Sequence, residues 1–168
     1  IGNTKDGLIG VQMNGDLQDV TFRNCDIYSS NTAVNTGNYA VGYPNTSGSG
    51  TYPVDVRFIH NNIEGGYYNI YLFYLGSGSA TVGGSSIQID SNTLKDAYNS
   101  SIYANNYSNI SSLSYNTITN RANATNFYGV YSSNYNIWNK IESNRMNLTG
   151  SENVYGFYEL NYSQSSSL

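Results

Sequence analysis

The sequence predicts a single all-β domain whose short strands stack as a solenoid of about six coils. Three observations carry that prediction. Asn, Ser, Thr and Gly make up nearly half of the 168 residues, while the residues that favour helix are scarce. Eighteen tyrosines and a net charge of only −4 argue for an ordered chain, because disorder needs high charge and few aromatics. Two short apolar motifs also alternate along almost the whole length, and self-similarity at a fixed period is the mark of a repeat architecture.

The first motif reads apolar-x-apolar-x-x-Asn-x-apolar. Its clear copies begin at Val20, Val56 and Ile87, and weaker ones at Ser111 and Asn139. The polar position of the set is occupied by Cys25, Asn61, Asn92, Asn116 and Asn144, at spacings of 36, 31, 24 and 28 residues. The second motif is a small residue, an apolar residue and then Tyr, as in Gly129-Val130-Tyr131 and Ser101-Ile102-Tyr103. Its apolar column runs Val11, Val41, Ile70, Ile102, Val130 and Phe157. Strands with period-two alternation turn one face inward. Two such strands per repeat cannot bury that face alone, so coils must stack on one another. A carboxamide repeated at one corner can then bond to its copies above and below, an Asn ladder that satisfies otherwise costly buried polar groups. Cys25 is expected at the end of that ladder as a small buried thiol.

These spaced copies resemble the right-handed parallel β-helix family, the pectate-lyase-like superfamily, over nearly the whole chain. The resemblance implies a right-handed parallel β-helix. It leaves activity open, since that family includes lyases, hydrolases, tailspikes and adhesins, and a fold does not fix a function.

Alternation also sorts the outer surface. Tyr71, Tyr103, Tyr131 and Tyr158 should form an outward stripe, one ring per coil. Tyr107, Tyr135 and Tyr162 should form a second line at the next turn. Such rows suit a polysaccharide or a surface protein, since aromatic rings bury area at low entropic cost. The same rows serve equally well as cross-coil stacking that holds the sheet together. The longer connections at residues 43–53 and 76–85 fall at one corner, where repeat proteins place binding loops or tolerated insertions.

Charged candidates are few. Arg57, Asp90 and Glu142 lie on outward positions of the first strand. Asp90 and Glu142 should be two coils apart, about 9 to 10 Å, at the wide limit for an inverting pair of carboxylates. The resemblance implies clustered Asp residues in the hydrolases and acidic calcium sites in the lyases, and neither pattern occurs here. A polysaccharide lyase or glycoside hydrolase built on Arg57, Asp90 and Glu142 is therefore the alternative, and a non-enzymatic module the main expectation. His60, the only histidine, reads as a surface turn residue, and Trp138 as a packing or sugar-contacting residue.

Composition bounds the rest. Seven Lys and Arg residues with no basic run leave no footprint for nucleic acid. No apolar stretch reaches the roughly 20 residues of a membrane span, so membrane insertion is not expected. One cysteine excludes an internal disulfide and a thiolate metal cluster; no metal or other cofactor is expected. The seven Asn-x-Ser/Thr sequons are no more than this composition produces. Low charge and abundant Asn, Ser, Thr and Tyr point to an extracellular or cell-surface location. The start at Ile1 reads as a processed protein or an excised piece of a longer solenoid. Self-association through the coil ends, giving a filament subunit, is a further expectation.

Overall fold

The computed structural model describes residues 9–15, 17–44, 53–73, 86–106, 108–122, 124–150 and 152–160. The first coil holds β1 (Ile9–Gln12), β2 (Thr21–Arg23) and β3 (Asp26–Tyr28). The second holds β4 (Tyr39–Pro44), β5 (Val56–Ile59) and β6 (Asn62–Glu64). The third holds β7 (Tyr68–Phe73), β8 (Ile87–Asp90) and β9 (Thr93–Ala97). The fourth holds β10 (Ser100–Asn105), β11 (Asn109–Ser114) and β12 (Thr117–Asn120). The fifth holds β13 (Asn126–Ser133), the short pieces β14 (Ile137–Trp138) and β15 (Ile141–Glu142), and β16 (Arg145–Asn147). The strand β17 (Asn153–Leu160) pairs with β13.

Equivalent strands pair in parallel, giving three sheets. Sheet 1 runs β1-β4-β7-β10-β13-β17, sheet 2 runs β2-β5-β8-β11 and then β14 with β15, and sheet 3 runs β3-β6-β9-β12-β16. This is a parallel β-solenoid. Only sheet 1 reaches six levels, so the described stack closes fewer circuits than the six expected.

Three apolar columns fill the interior. The registers align Val11, Val41, Ile70, Ile102, Val130 and Phe157 in sheet 1. They align Phe22, Phe58, Ile89, Leu113 and Ile141 in sheet 2, and Ile27, Ile63, Leu94, Ile118 and Met146 in sheet 3. In the middle coils these side chains are fully buried, each contributing about 1.5–3 kcal/mol. The weak motif copies have a physical cause. The register of β11 shifts by one residue, so Ile110 rather than Ser111 lies opposite Ile87. Trp138 rather than Asn139 continues that column.

The corner between sheets 2 and 3 is made the same way in every coil. Asn24, His60, Ser91, Tyr115 and Ser143 each adopt a left-handed backbone, with φ between 53° and 59°. Each immediately precedes a ladder position. The bend aims the next side chain into the wall, where the ladder forms as expected. The Oδ1 of Asn92 accepts the backbone N–H of Asn61 at 2.9 Å and its Nδ2 at 3.0 Å. Asn116 accepts the same pair from Asn92, and Asn144 the same pair from Asn116. Each Nδ2 also donates to a main-chain oxygen of the preceding coil, as from Asn92 to Phe58 at 2.8 Å. Cys25 ends the ladder as expected but is half-buried rather than buried, because among the described residues the first coil is covered on one side only; its N–H donates to Asn61 Oδ1 at 3.0 Å, and its Sγ donates to the Arg23 carbonyl.

Candidate functional site

The strands β4, β7, β10 and β13 contain no charged residue. Their outer face is a continuous aromatic array. Pairing places Gln12, Gly42, Tyr71, Tyr103, Tyr131 and Tyr158 in one row. The rings of Tyr71 and Tyr103 stack at 5.3 Å with 21° between planes, and Tyr103 and Tyr131 at 5.2 Å with 11°. Tyr131 and Tyr158 follow at 5.4 Å. These rings are half-buried. Because the stacking axis follows the solenoid, each interior ring offers its faces to its neighbours and its edge and hydroxyl to the outside.

A second row reinforces the first and was not read from the sequence. Tyr39, Tyr68, Tyr128 and Tyr155 lie three residues before the first row and pack against it. Tyr68 meets Tyr71 at 5.0 Å and Tyr103 at 4.7 Å, while Tyr128 meets Tyr131 at 5.1 Å. Strict alternation would put residues three apart on opposite faces. Here two successive residues turn inward between them, such as Asn69 and Ile70 or Ser101 and Ile102, all fully buried. The sequence signal is the repeated Tyr-x-x-Tyr at 68–71, 128–131 and 155–158. In the second coil Gly42 replaces the outward Tyr and the ring of Tyr39 fills its place, stacking on Tyr71 at 5.3 Å.

Polar contacts at the rims are sparse. The Tyr39 hydroxyl donates to Gln12 Oε1 at 3.1 Å, and Asn105 Nδ2 donates to the Tyr103 oxygen at 2.8 Å. Burial raises the ionisation of Tyr39, and burial together with neighbouring tyrosines raises Tyr67, Tyr128 and Tyr131. The same causes push Tyr71 up to about 12 and Tyr68 higher still. These six rings are therefore neutral across the physiological range.

Of the second expected line only Tyr135 lies among the described residues, where it is exposed and takes a left-handed backbone, φ 64°; Tyr107 and Tyr162 lie outside them, as does most of the two longer connections. Trp138 is half-buried, donating Nε1 to Ser132 Oγ at 3.0 Å and meeting Phe157 edge-on at 5.3 Å.

The charged residues are not brought together. Arg57 lies opposite Gln88 in the register, and its guanidinium pairs with Asp19 at 2.6 Å instead of approaching Asp90. Asp90 accepts from Gln88 Nε2, Ser112 Oγ and the Ser114 N–H. Asp90 and Glu142 do share a column, both opposite Ser114. Lys140 sits 2.6 Å from Glu142 and holds its carboxyl below the usual range, the opposite of what a general acid needs. Among the described residues no group of three or more His, Cys, Asp and Glu is placed to hold a metal ion. No described helix is long and apolar enough to cross a membrane.

One unforeseen residue is Arg121. Its guanidinium is half-buried and donates to four main-chain oxygens, those of Ser30, Ala33, Gly66 and Asp96. Nothing in a side-chain pattern could have found it, since its partners are carbonyls up to 91 residues away.

The fold and this face define a class: a parallel β-solenoid with an internal Asn ladder and an external Tyr array. No family model matches the chain, and neither the curated proteins nor the solved structures contain a match to it.

Proposed function

We propose that the chain is a non-enzymatic structural and binding module of a secreted or cell-surface protein. Its Tyr array would contact a polysaccharide or a surface protein. The observation that carries this reading is the uncharged aromatic face kept in register across successive coils. The engagement of Arg57 by Asp19 and of Glu142 by Lys140 favours a non-enzymatic role over a lyase or hydrolase. The three-sheet coil and the Asn ladder support placing the fold with the right-handed β-helices of the pectate-lyase-like superfamily.

The test uses two double variants. Y103A/Y131A should abolish retention on the glycans or surface extracts that the wild-type protein binds. Y103F/Y131F keeps the stacked rings and removes only the hydroxyls, so it separates an edge-and-hydroxyl contact from simple ring packing. Unchanged retention by the alanine variant would remove the array from the account.

Self-association through coil ends is the second reading. Ile141 and Phe157 are 48% and 38% exposed, whereas their column mates Leu113 and Val130 are fully buried. Light scattering that stays at one protomer's mass at high concentration would end this reading.

A further inference from the structure

Arg121 breaks the rule that a solenoid repeat touches only its neighbours. It follows β12 in the fourth coil. Its acceptors come from the corners after β3 (Ser30 and Ala33), after β6 (Gly66) and at the end of β9 (Asp96). Four coils therefore meet at one side chain. The distances are 2.9 Å to Ala33, 3.1 Å to Asp96, 3.3 Å to Gly66 and 3.4 Å to Ser30. The ring of Tyr98 lies below, its centre 5.6 Å from the guanidinium carbon.

No described carboxylate forms an ion pair with it. A charge taken out of water without a counter-ion is costly unless its donors are met. Here the planar fork of N–H groups is met by carbonyls alone, a geometry that an ammonium cannot span. The chain builds the cage at some expense. Gly66 has φ +84°, and a Cβ there would lie 2.6 Å from the main-chain carbonyl oxygen of Tyr68. Asp96 also adopts a left-handed backbone, φ 58°. The same carbonyls carry the wall's own bonds: Ser30 O accepts the Gly66 N–H, and Gly66 O the Tyr98 N–H.

We propose that the carbonyls of Ser30, Ala33, Gly66 and Asp96 form a guanidinium-binding site, and that Arg121 is its tethered ligand, clasping four successive coils into one cooperative unit. Removal of the side chain leaves an empty cage open to small guanidinium ions.

The test is chemical rescue of R121A. Hydrogen exchange at the Gly66 and Tyr98 amides should quicken by about tenfold or more, while exchange within β13 and β17 changes little. Guanidinium chloride at ~20 mM, far below denaturing concentrations, should raise the Tm of R121A saturably. Sodium and ammonium chloride at equal strength should not, and wild-type protein should not respond. Absence of a saturable response, or the same response in wild type, overturns the site. R121K supplies the second measurement and covers the case in which R121A does not fold. It keeps the charge but not the fork, so it should show the same rise in exchange at Gly66 and Tyr98. An R121K variant as protected as wild type would also overturn the proposal.

Discussion

Asn92 shows how much one side chain can hold in this wall. It accepts two donors from Asn61 and donates to Phe58 and Asn116. N92A strands several buried groups at once, each worth about 1–3 kcal/mol, so a loss of at least ~3 kcal/mol is expected by denaturant unfolding. N144A should cost less, because water reaches that half-buried position. The ladder also predicts a gain. Among the described residues Asn61 Oδ1 accepts only the Cys25 N–H, whereas every later Oδ1 in the ladder accepts two donors. C25N would supply the missing Nδ2 and should stabilise by about 0.5–1.5 kcal/mol. An unchanged unfolding midpoint for C25N would mean that the first coil holds its corner differently from the others. The ladder was legible because it repeats one residue type at one phase. Arg121 was not, because main-chain acceptors leave no trace in residue identity. The partner of Arg57 was also out of reach: an outward side chain can turn to the coil on either side, and register alone does not choose.

At the level of strands, what repeats is a shape more than a residue. In the middle coils the inward residue before the apolar column residue, Ala40, Asn69, Ser101 or Gly129, allows Tyr to recur three residues apart on one face, and those two rows interlock. Gly42 is the exception that tests this. A Cβ there would meet two Tyr39 ring atoms at 2.7 and 2.8 Å and the Tyr71 Cβ at 3.0 Å. A rigid ring cannot give way without leaving the stack, so G42A should cost about 1–3 kcal/mol, as overpacking does. It should also weaken the near-ultraviolet circular dichroism of the tyrosines. The double variant Y39A/G42A should be less than additive, since contacting residues couple; full additivity would show that Gly42 is needed for something other than the ring. Sheet 1 was readable from its strict columns. In β11 the one-residue shift that brings Ile110 inward hid the same column behind Ser111, and period counting cannot see a bulge.

For the whole molecule, the array ties stability to alkaline pH. Burial raises the ionisation of Tyr39, Tyr67, Tyr68, Tyr71, Tyr128 and Tyr131 in the folded protein above the ordinary value of 10.0. Below pH 10 both states keep these protons and the contribution is fully present. Above pH 10 the unfolded chain ionises first, so it binds fewer protons than the folded one and stability falls as pH rises. For Tyr71 the fall runs from 10 to about 12. The pair of Lys95 and Glu64 at 3.0 Å acts in the same direction, because Glu64 raises the Lys95 ammonium. A simple alkaline melt therefore cannot single out the array, whereas a substitution can. Y71F keeps the ring in the stack and removes one ionisable hydroxyl. Its unfolding free energy should match wild type near pH 8 and decline less steeply between pH 10 and 12. Identical slopes for Y71F and wild type would mean that the stacked rings ionise as freely as those of an unfolded chain, and that the aromatic face is looser in solution than its geometry implies.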